Sequence, residues 1–245
     1  MNRRRVFIFT TFLALATVSI FTPAQKETIN DERFIKYTVD PKKQDLKLYW
    51  KDEKQQNFKS IQHLKTWLEK DHKKLEFAMN AGMYKEDHSP LGLFIEDHKT
   101  VTLLNKKNGE GNFYLKPNGV FYITTGNAAA ICNTTNFIDS GKIKYATQSG
   151  PMLVINGEIH SAFKEGSTNL NIRNGVGILP DNKVVFAMSK KEINFYDFAN
   201  YFKSMGCKNA LYLDGFVSRT YLPEQNWIQT DGDFGVIIGV ITNTR

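Results

Sequence analysis

The arrangement in this chain best suited to chemistry is a carboxylate that ends an apolar strand and is followed by glycine. In Leu211-Tyr212-Leu213-Asp214-Gly215-Phe216-Val217-Ser218-Arg219 the apolar run stops at Asp214, and Gly215 lets the backbone leave the sheet. A carboxyl delivered there on a short tether can serve as general base or nucleophile. Arg173, in Asn171-Ile172-Arg173-Asn174-Gly175-Val176-Gly177, immediately precedes a glycine-flanked strand in a chain that otherwise favours Lys. A guanidinium offers two parallel N–H donors to a phosphate or carboxylate, a fork that Lys lacks. The competing reading pairs Arg173 with an internal acid.

Three other polar segments interrupt apolar runs. Asn80-Ala81-Gly82-Met83-Tyr84 leaves a strand end, where Asn80 can donate its amide to a ligand or cap a turn while Gly82 lets the chain bend. Asn112, in Gly111-Asn112-Phe113, lies ahead of Pro117-Asn118-Gly119 and reads as turn chemistry before a strand. In Thr147-Gln148-Ser149-Gly150-Pro151 the Ser149 hydroxyl and the Gly150 backbone can meet an oxyanion, but the G-x-S-x-G elbow of a serine hydrolase is absent. The five His are scattered without an H-E-x-x-H pattern, and His160 reads best as a hydrogen-bonded structural residue. Asp231-Gly232-Asp233 reads as a surface turn, with too few carboxylates for calcium. No metal or cofactor site is expected. Cys132 and Cys207 allow at most one bridge, which rules out a disulfide-dense scaffold.

The elements that position these segments are mostly strands. Alternating or continuous apolar runs predict strands over 34–39, 46–50, 75–79, 91–96, 101–104, 119–124, 152–155, 158–162, 177–179, 184–188, 210–213 and 234–241. Asn156-Gly157 fits a two-residue hairpin turn, and Pro180-Asp181-Asn182 another turn. Helical spacing of Phe58, Ile61, Leu64, Trp67 and Leu68 predicts one amphipathic helix. Asn194 caps a second, with Phe195, Phe198, Ala199, Phe202 and Met205 on one face and Gly206 as its stop. The expectation is an α+β fold: one strand-rich domain over 34–245, with a mixed or antiparallel sheet and two main helices. At 245 residues and 41% hydrophobic, with 18 Phe and 10 Tyr, the chain has ample material for a core, which excludes global disorder.

Three Arg in residues 1–5, the apolar run 6–21 and Thr22-Pro23-Ala24 together describe an export signal over 1–24, with 25–33 as a loose leader. The apolar run is shorter than the ~20 residues that usually span a bilayer, so a cleaved signal is expected and no stable membrane anchor. The signal carries three Arg and no acid, so its removal lowers the net charge from +7 to +4. That modest excess lacks the basic stripe with interleaved aromatics that nucleic acid requires. It is compatible with weak attraction to anionic envelope polymers. A periplasmic or extracellular location is the corresponding expectation.

Taken in order, the motifs resemble those of the phosphodiester glycosidase family, and the overall wording is similar to a bacterial exported, exopolysaccharide-related branch. The likeness runs from about Asn80 to the C-terminus. It rests on Asn80-Ala81-Gly82 for an Asn-Gly-Gly strand end, on Ser149-Gly150 before Asn156-Gly157, on Arg173 with Gly177, and on Asp214, Gly215 and Ser218 for an Asp-Gly-Gly-Gly-Ser strand end. Phe216, Val217 and Ala81 stand where the family has glycine, which alters the shape of the pocket. The resemblance implies hydrolysis of a sugar-1-phosphodiester to free sugar and phosphomonoester. It implies Asp214 as base or nucleophile and Arg173 against the phosphate. Asn80, Ser149, Gly150 and Ser218 would orient substrate oxygens, and Gly82, Asn112 and Gly215 complete the expected binding set. Arg173 and Asp214 are expected to meet in one solvent-filled cleft. The alternative is an envelope polysaccharide-binding or assembly factor with the same cleft and no turnover.

Overall fold

The computed structural model describes residues 31–244; the expected signal and most of the leader lie outside them. Sixteen strands form three sheets in which every pairing is antiparallel. The first sheet runs Phe34–Val39 (β1), Val184–Ser189 (β12), Asn174–Ile178 (β11), Ala210–Tyr212 (β13), Met152–Ile155 (β9) and Glu158–Ile159 (β10). The second runs Trp227–Ile228 (β15), Thr220–Leu222 (β14), Lys73–Asn80 (β3), Ile237–Asn243 (β16) and Asp45–Tyr49 (β2). The third runs Lys99–Thr102 (β5), Phe94–Glu96 (β4), Ile143–Ser149 (β8), Gly119–Thr124 (β6) and Ala129–Asn133 (β7). The α+β expectation therefore holds only loosely, because among the described residues strands dominate and two α-helices accompany them.

Strand periodicity explains why some runs are continuously apolar. Val184, Phe186 and Met188 of β12 enter a central core shared by all three sheets, while Val185 and Ala187 face the second helix, Phe195–Ser204 (α2). In β16, Ile238 and Val240 likewise point into the central core, and Ile237 and Ile241 pack with the first helix, Ile61–Lys70 (α1). Both faces are covered, so alternation disappears from the sequence. The central core stacks Tyr37 on Phe77 at 4.6 Å and Phe77 on Phe186 at 5.3 Å.

The predicted helices form with small shifts. Ser60 Oγ accepts from the His63 N–H and starts α1, so Phe58 falls outside the helix and instead packs back on Trp67 at 5.2 Å. Asn194 caps α2 as predicted, its Oδ1 accepting from the Asp197 N–H at 2.8 Å. Asn156 (φ 51°) and Gly157 (φ 88°) make the expected hairpin turn between β9 and β10. The strand expected over 158–162 ends at Ile159; beyond it His160 is buried, with Nε2 on the Lys116 carbonyl and Nδ1 accepting from the Ala162 N–H. The strand expected from residue 91 begins only at Phe94: the Leu93 carbonyl still accepts the Gln148 N–H of β8, but the Leu93 N–H goes to the Gln148 side chain instead of a strand carbonyl. Cys132 and Cys207 form no disulfide. Among the described residues no helix is long and apolar enough to cross a membrane.

Candidate active site

The ends of β3, β8 and β13 and the start of β11 converge, and their backbones are cross-linked. The Asp214 N–H donates to the Ala81 carbonyl at 3.0 Å, Leu213 N–H to Asn174 at 3.1 Å and Tyr212 N–H to Pro151 at 3.0 Å. Gly82 lies against β8, where a Cβ would run into Thr147 Oγ1 and the Gln148 carbonyl, so only glycine permits this approach. Segments more than 130 residues apart in the chain thus meet at the turn that follows β13.

Asn80 is the knot of this junction. Its Nδ2 donates to the Asp214 carbonyl at 2.6 Å, and its Oδ1 accepts from Asn174 Nδ2 and from the Arg219 N–H, each at 2.9 Å. Every polar atom of the buried side chain is engaged within the protein, so in this geometry Asn80 holds the site's walls together. Ser218 is similarly occupied, its hydroxyl on the Gly215 carbonyl at 3.1 Å. Ser149 is different: its Oγ is fully buried and has no hydrogen-bond partner, and neither does Asn174 Oδ1. Gly150 packs on Asn118 beside it.

The Asp214 carboxyl accepts the Phe216 N–H on Oδ1 at 3.2 Å and pairs with no cation among the described residues. Burial raises its pKa to about 6, opposed only by that backbone bond. Tyr84 and Tyr212 lie within its field, and burial followed by the Asp214 charge pushes the Tyr84 phenol up to about 12. Tyr84 in turn donates to the Asp233 carbonyl at 2.5 Å, and its ring stacks on His88. Asp231 and Asp233 lie on the surface as expected, and they also tie Arg219 and His88 to this rim at 2.8 and 2.7 Å.

Arg173 is brought near but does not meet Asp214. Its side chain is 0% exposed. Nε donates to the Ile193 carbonyl at 2.8 Å, Nη2 to the Asn169 carbonyl and Oδ1 at 2.9 and 3.0 Å, and Nη1 to Tyr212 Oη at 3.4 Å. The Phe195 ring covers it at 3.6 Å. The fork expected to face solvent is turned inward, and no carboxylate among the described residues pairs with it. Asn112 also stands apart, on the 3₁₀ turn Asn112–Tyr114; it lines a cleft of about 230 Å³ with Phe163, Asn169, Phe195 and Tyr196. Tyr212, Asn174, Tyr84 and Arg219 also border this junction, and nothing in their sequence neighbourhoods singles them out. A tyrosine inside Leu-Tyr-Leu reads as core, and Tyr212 is core; its phenol in addition meets Arg173 and the Gly215 turn. Among the described residues no trio of His, Cys, Asp and Glu is close enough to hold a metal ion.

Comparison with known proteins agrees with this architecture. A zebrafish N-acetylglucosamine-1-phosphodiester alpha-N-acetylglucosaminidase catalytic domain, auto-inhibited by its pro-peptide, shares the fold with a TM-score of 0.56 over 87% of this chain and 85% of that one, at 13% identity. A hypothetical protein from Synechocystis superposes with a TM-score of 0.52 at 13% identity, over 85% of this chain and 59% of its own. In sequence, the uncharacterized protein YigE of Escherichia coli is 36% identical over 224 residues, 91% of this chain and 86% of its own. The phosphodiester glycosidase model matches residues 73–239, a span holding every convergent segment described above. The chain belongs to the phosphodiester glycosidase family.

Proposed function

We propose that the protein hydrolyses sugar-1-phosphodiesters at the anomeric carbon, with Asp214 as the acid–base group. The observation that carries this reading is a half-buried carboxyl, its pKa raised to about 6, at the junction of four strand ends in a chain of this family. Ionised Asp214 takes a proton from water as its oxygen bonds to C1; the C1–O bond breaks and the phosphomonoester departs with the electron pair. That leaving group is a stable anion, so one carboxyl suffices where ordinary glycosides use two. The Ser149 hydroxyl and Asn174 Oδ1 lack protein partners but are sealed from solvent, so they stand behind the site rather than on its surface. Arg219, partly exposed on the loop and ion-paired to Asp231, would exchange that pairing for the phosphate, while Arg173 supports the turn from behind.

Phe216 extends this reading to the substrate. It is 96% exposed, one residue beyond Gly215, where a bare aromatic face can stack on a sugar ring. Replacing it with Ala should raise KM about 5-fold, equivalent to ~1 kcal/mol, with kcat and Tm unchanged. An unaltered KM across several sugars would remove Phe216 from the substrate site. With residues 1–24 as an export signal, the substrate would be a phosphorylated sugar or phosphosugar polymer of the envelope.

The test is a panel of sugar-1-phosphodiesters incubated with the purified protein. Release of free sugar with an equimolar phosphomonoester supports the proposal. Saturable binding without release would favour the second reading, an envelope polysaccharide-binding factor using the same Phe216 platform.

A further inference from the structure

We propose that Tyr212 is a positioning residue for Asp214, its phenol joining the buried Arg173 guanidinium to the turn that carries the acid. The inference rests on Asp214 being the reacting group, as proposed above. Tyr212 is the last residue of β13, two before Asp214, and is buried with its ring edge on Phe195 at 4.8 Å. Arg173 Nη1 approaches its oxygen at 3.4 Å from one side. Gly215 packs against the same oxygen from the turn that follows β13. A Cβ on Gly215 would overlap Tyr212 Oη, so the glycine is what lets the turn close on the phenol.

The guanidinium is suited to anchoring. Its remaining bonds go to the Ile193 and Asn169 carbonyls and Asn169 Oδ1, all neutral acceptors, and no carboxylate among the described residues pairs with it. A buried cation that is hydrogen-bonded but not neutralised favours electron-rich neighbours, and the phenol oxygen is one it reaches. The chain of contacts is therefore Arg173 to the Tyr212 phenol to the backbone of Gly215, with Asp214 held one peptide away. Such a clamp fixes the depth at which the carboxyl is buried, and burial is what lifts its pKa. The other charged or titratable groups around Asp214 are otherwise engaged. Tyr84 bonds the Asp233 carbonyl, Asp233 bonds His88, and Arg219 faces Asp231.

The experiment follows the Asp214 carboxyl by carbon-13 NMR titration in the full mature protein, a readout that does not need turnover. In Tyr212→Phe, which keeps the ring and its packing, the loosened turn should let water in and move the titration midpoint down by about one unit. Arg173→Lys, which cannot span the same acceptors, should move it the same way, and the double variant should shift no further than either single one. On sugar-1-phosphodiester, Tyr212→Phe should lose about 10-fold in kcat with little change in KM, and the acid limb of its pH profile should move with the midpoint. A midpoint unchanged in both single variants overturns the clamp, even if Tm falls, because a purely structural hydroxyl would alter stability alone. A wild-type protein without turnover would remove the hydrolase reading, while the midpoint would still decide whether the clamp exists.

Discussion

Exchanging Asp214 for Asn should leave a folded protein that has lost about 10²–10⁴-fold of its turnover, the usual contribution of a positioned acid–base group. Asn keeps the shape and can still accept the Phe216 N–H, but it cannot take a proton from water. The wild-type rate should rise with pH through about 6 as the carboxyl ionises, and the variant's residual rate should lack that limb. Stability runs the other way. An acid whose pKa is raised from 3.8 to about 6 on folding favours the folded state when protonated, and this contribution is lost as pH climbs from about 4 to 6. At pH 7 the ionised carboxyl therefore costs up to about 3 kcal/mol, which Asp214→Asn removes. The variant should melt several degrees higher than wild type at pH 7 and converge with it near pH 4. An inactive variant that is also more stable would mark Asp214 as a group kept for chemistry. Retained turnover, or a destabilised variant, would mark it as structural.

Replacing Asn80 with Ala should be the most damaging single change to the site's framework. It deprives the Asp214 carbonyl, the Asn174 amide and the Arg219 N–H of a partner in one step. The Asn174 amide retains the Asn80 backbone carbonyl at 3.0 Å, but the other two groups have no substitute in the structure. At about 1–3 kcal/mol for each buried group left unpaired, the loss should be about 3–5 kcal/mol, or roughly 10 °C in Tm. Turnover should fall too, since the Asp214 turn loses its tie to β3. Calorimetry showing a Tm within about 2 °C of wild type would mean that water replaces the side chain and that Asn80 does not bind the junction.

The sequence discloses local structure well where chemistry is local. Asn156-Gly157, the Asn194 cap and the run into Asp214-Gly215 depend on neighbours within a few residues, and each appears where its residue types place it. Sheet assignment is less accessible. Continuous runs such as 184–188 and 237–241 are buried on both faces and carry no alternation to say which partner they pair with. At the site, the converging segments were visible as interruptions by polar and glycine residues. Their roles were not. Asn80 looks the same whether it offers its amide to a ligand or to the Asp214 carbonyl. Arg173 reads either as a fork for a phosphate or as the partner of an internal acid, yet neutral carbonyls from Asn169 and Ile193 and the Phe195 ring enclose it. Phe216 and Val217, placed where the family has glycine, were visible as departures, and the structure adds that Phe216 projects wholly into solvent.

The most direct test is hydrolysis of a sugar-1-phosphodiester in oxygen-18 water, with products separated and weighed by mass spectrometry. Attack at the anomeric carbon predicts that the heavy oxygen appears in the free sugar and none in the phosphomonoester. Label in the phosphomonoester would show cleavage at phosphorus, and with it a different reaction at this site.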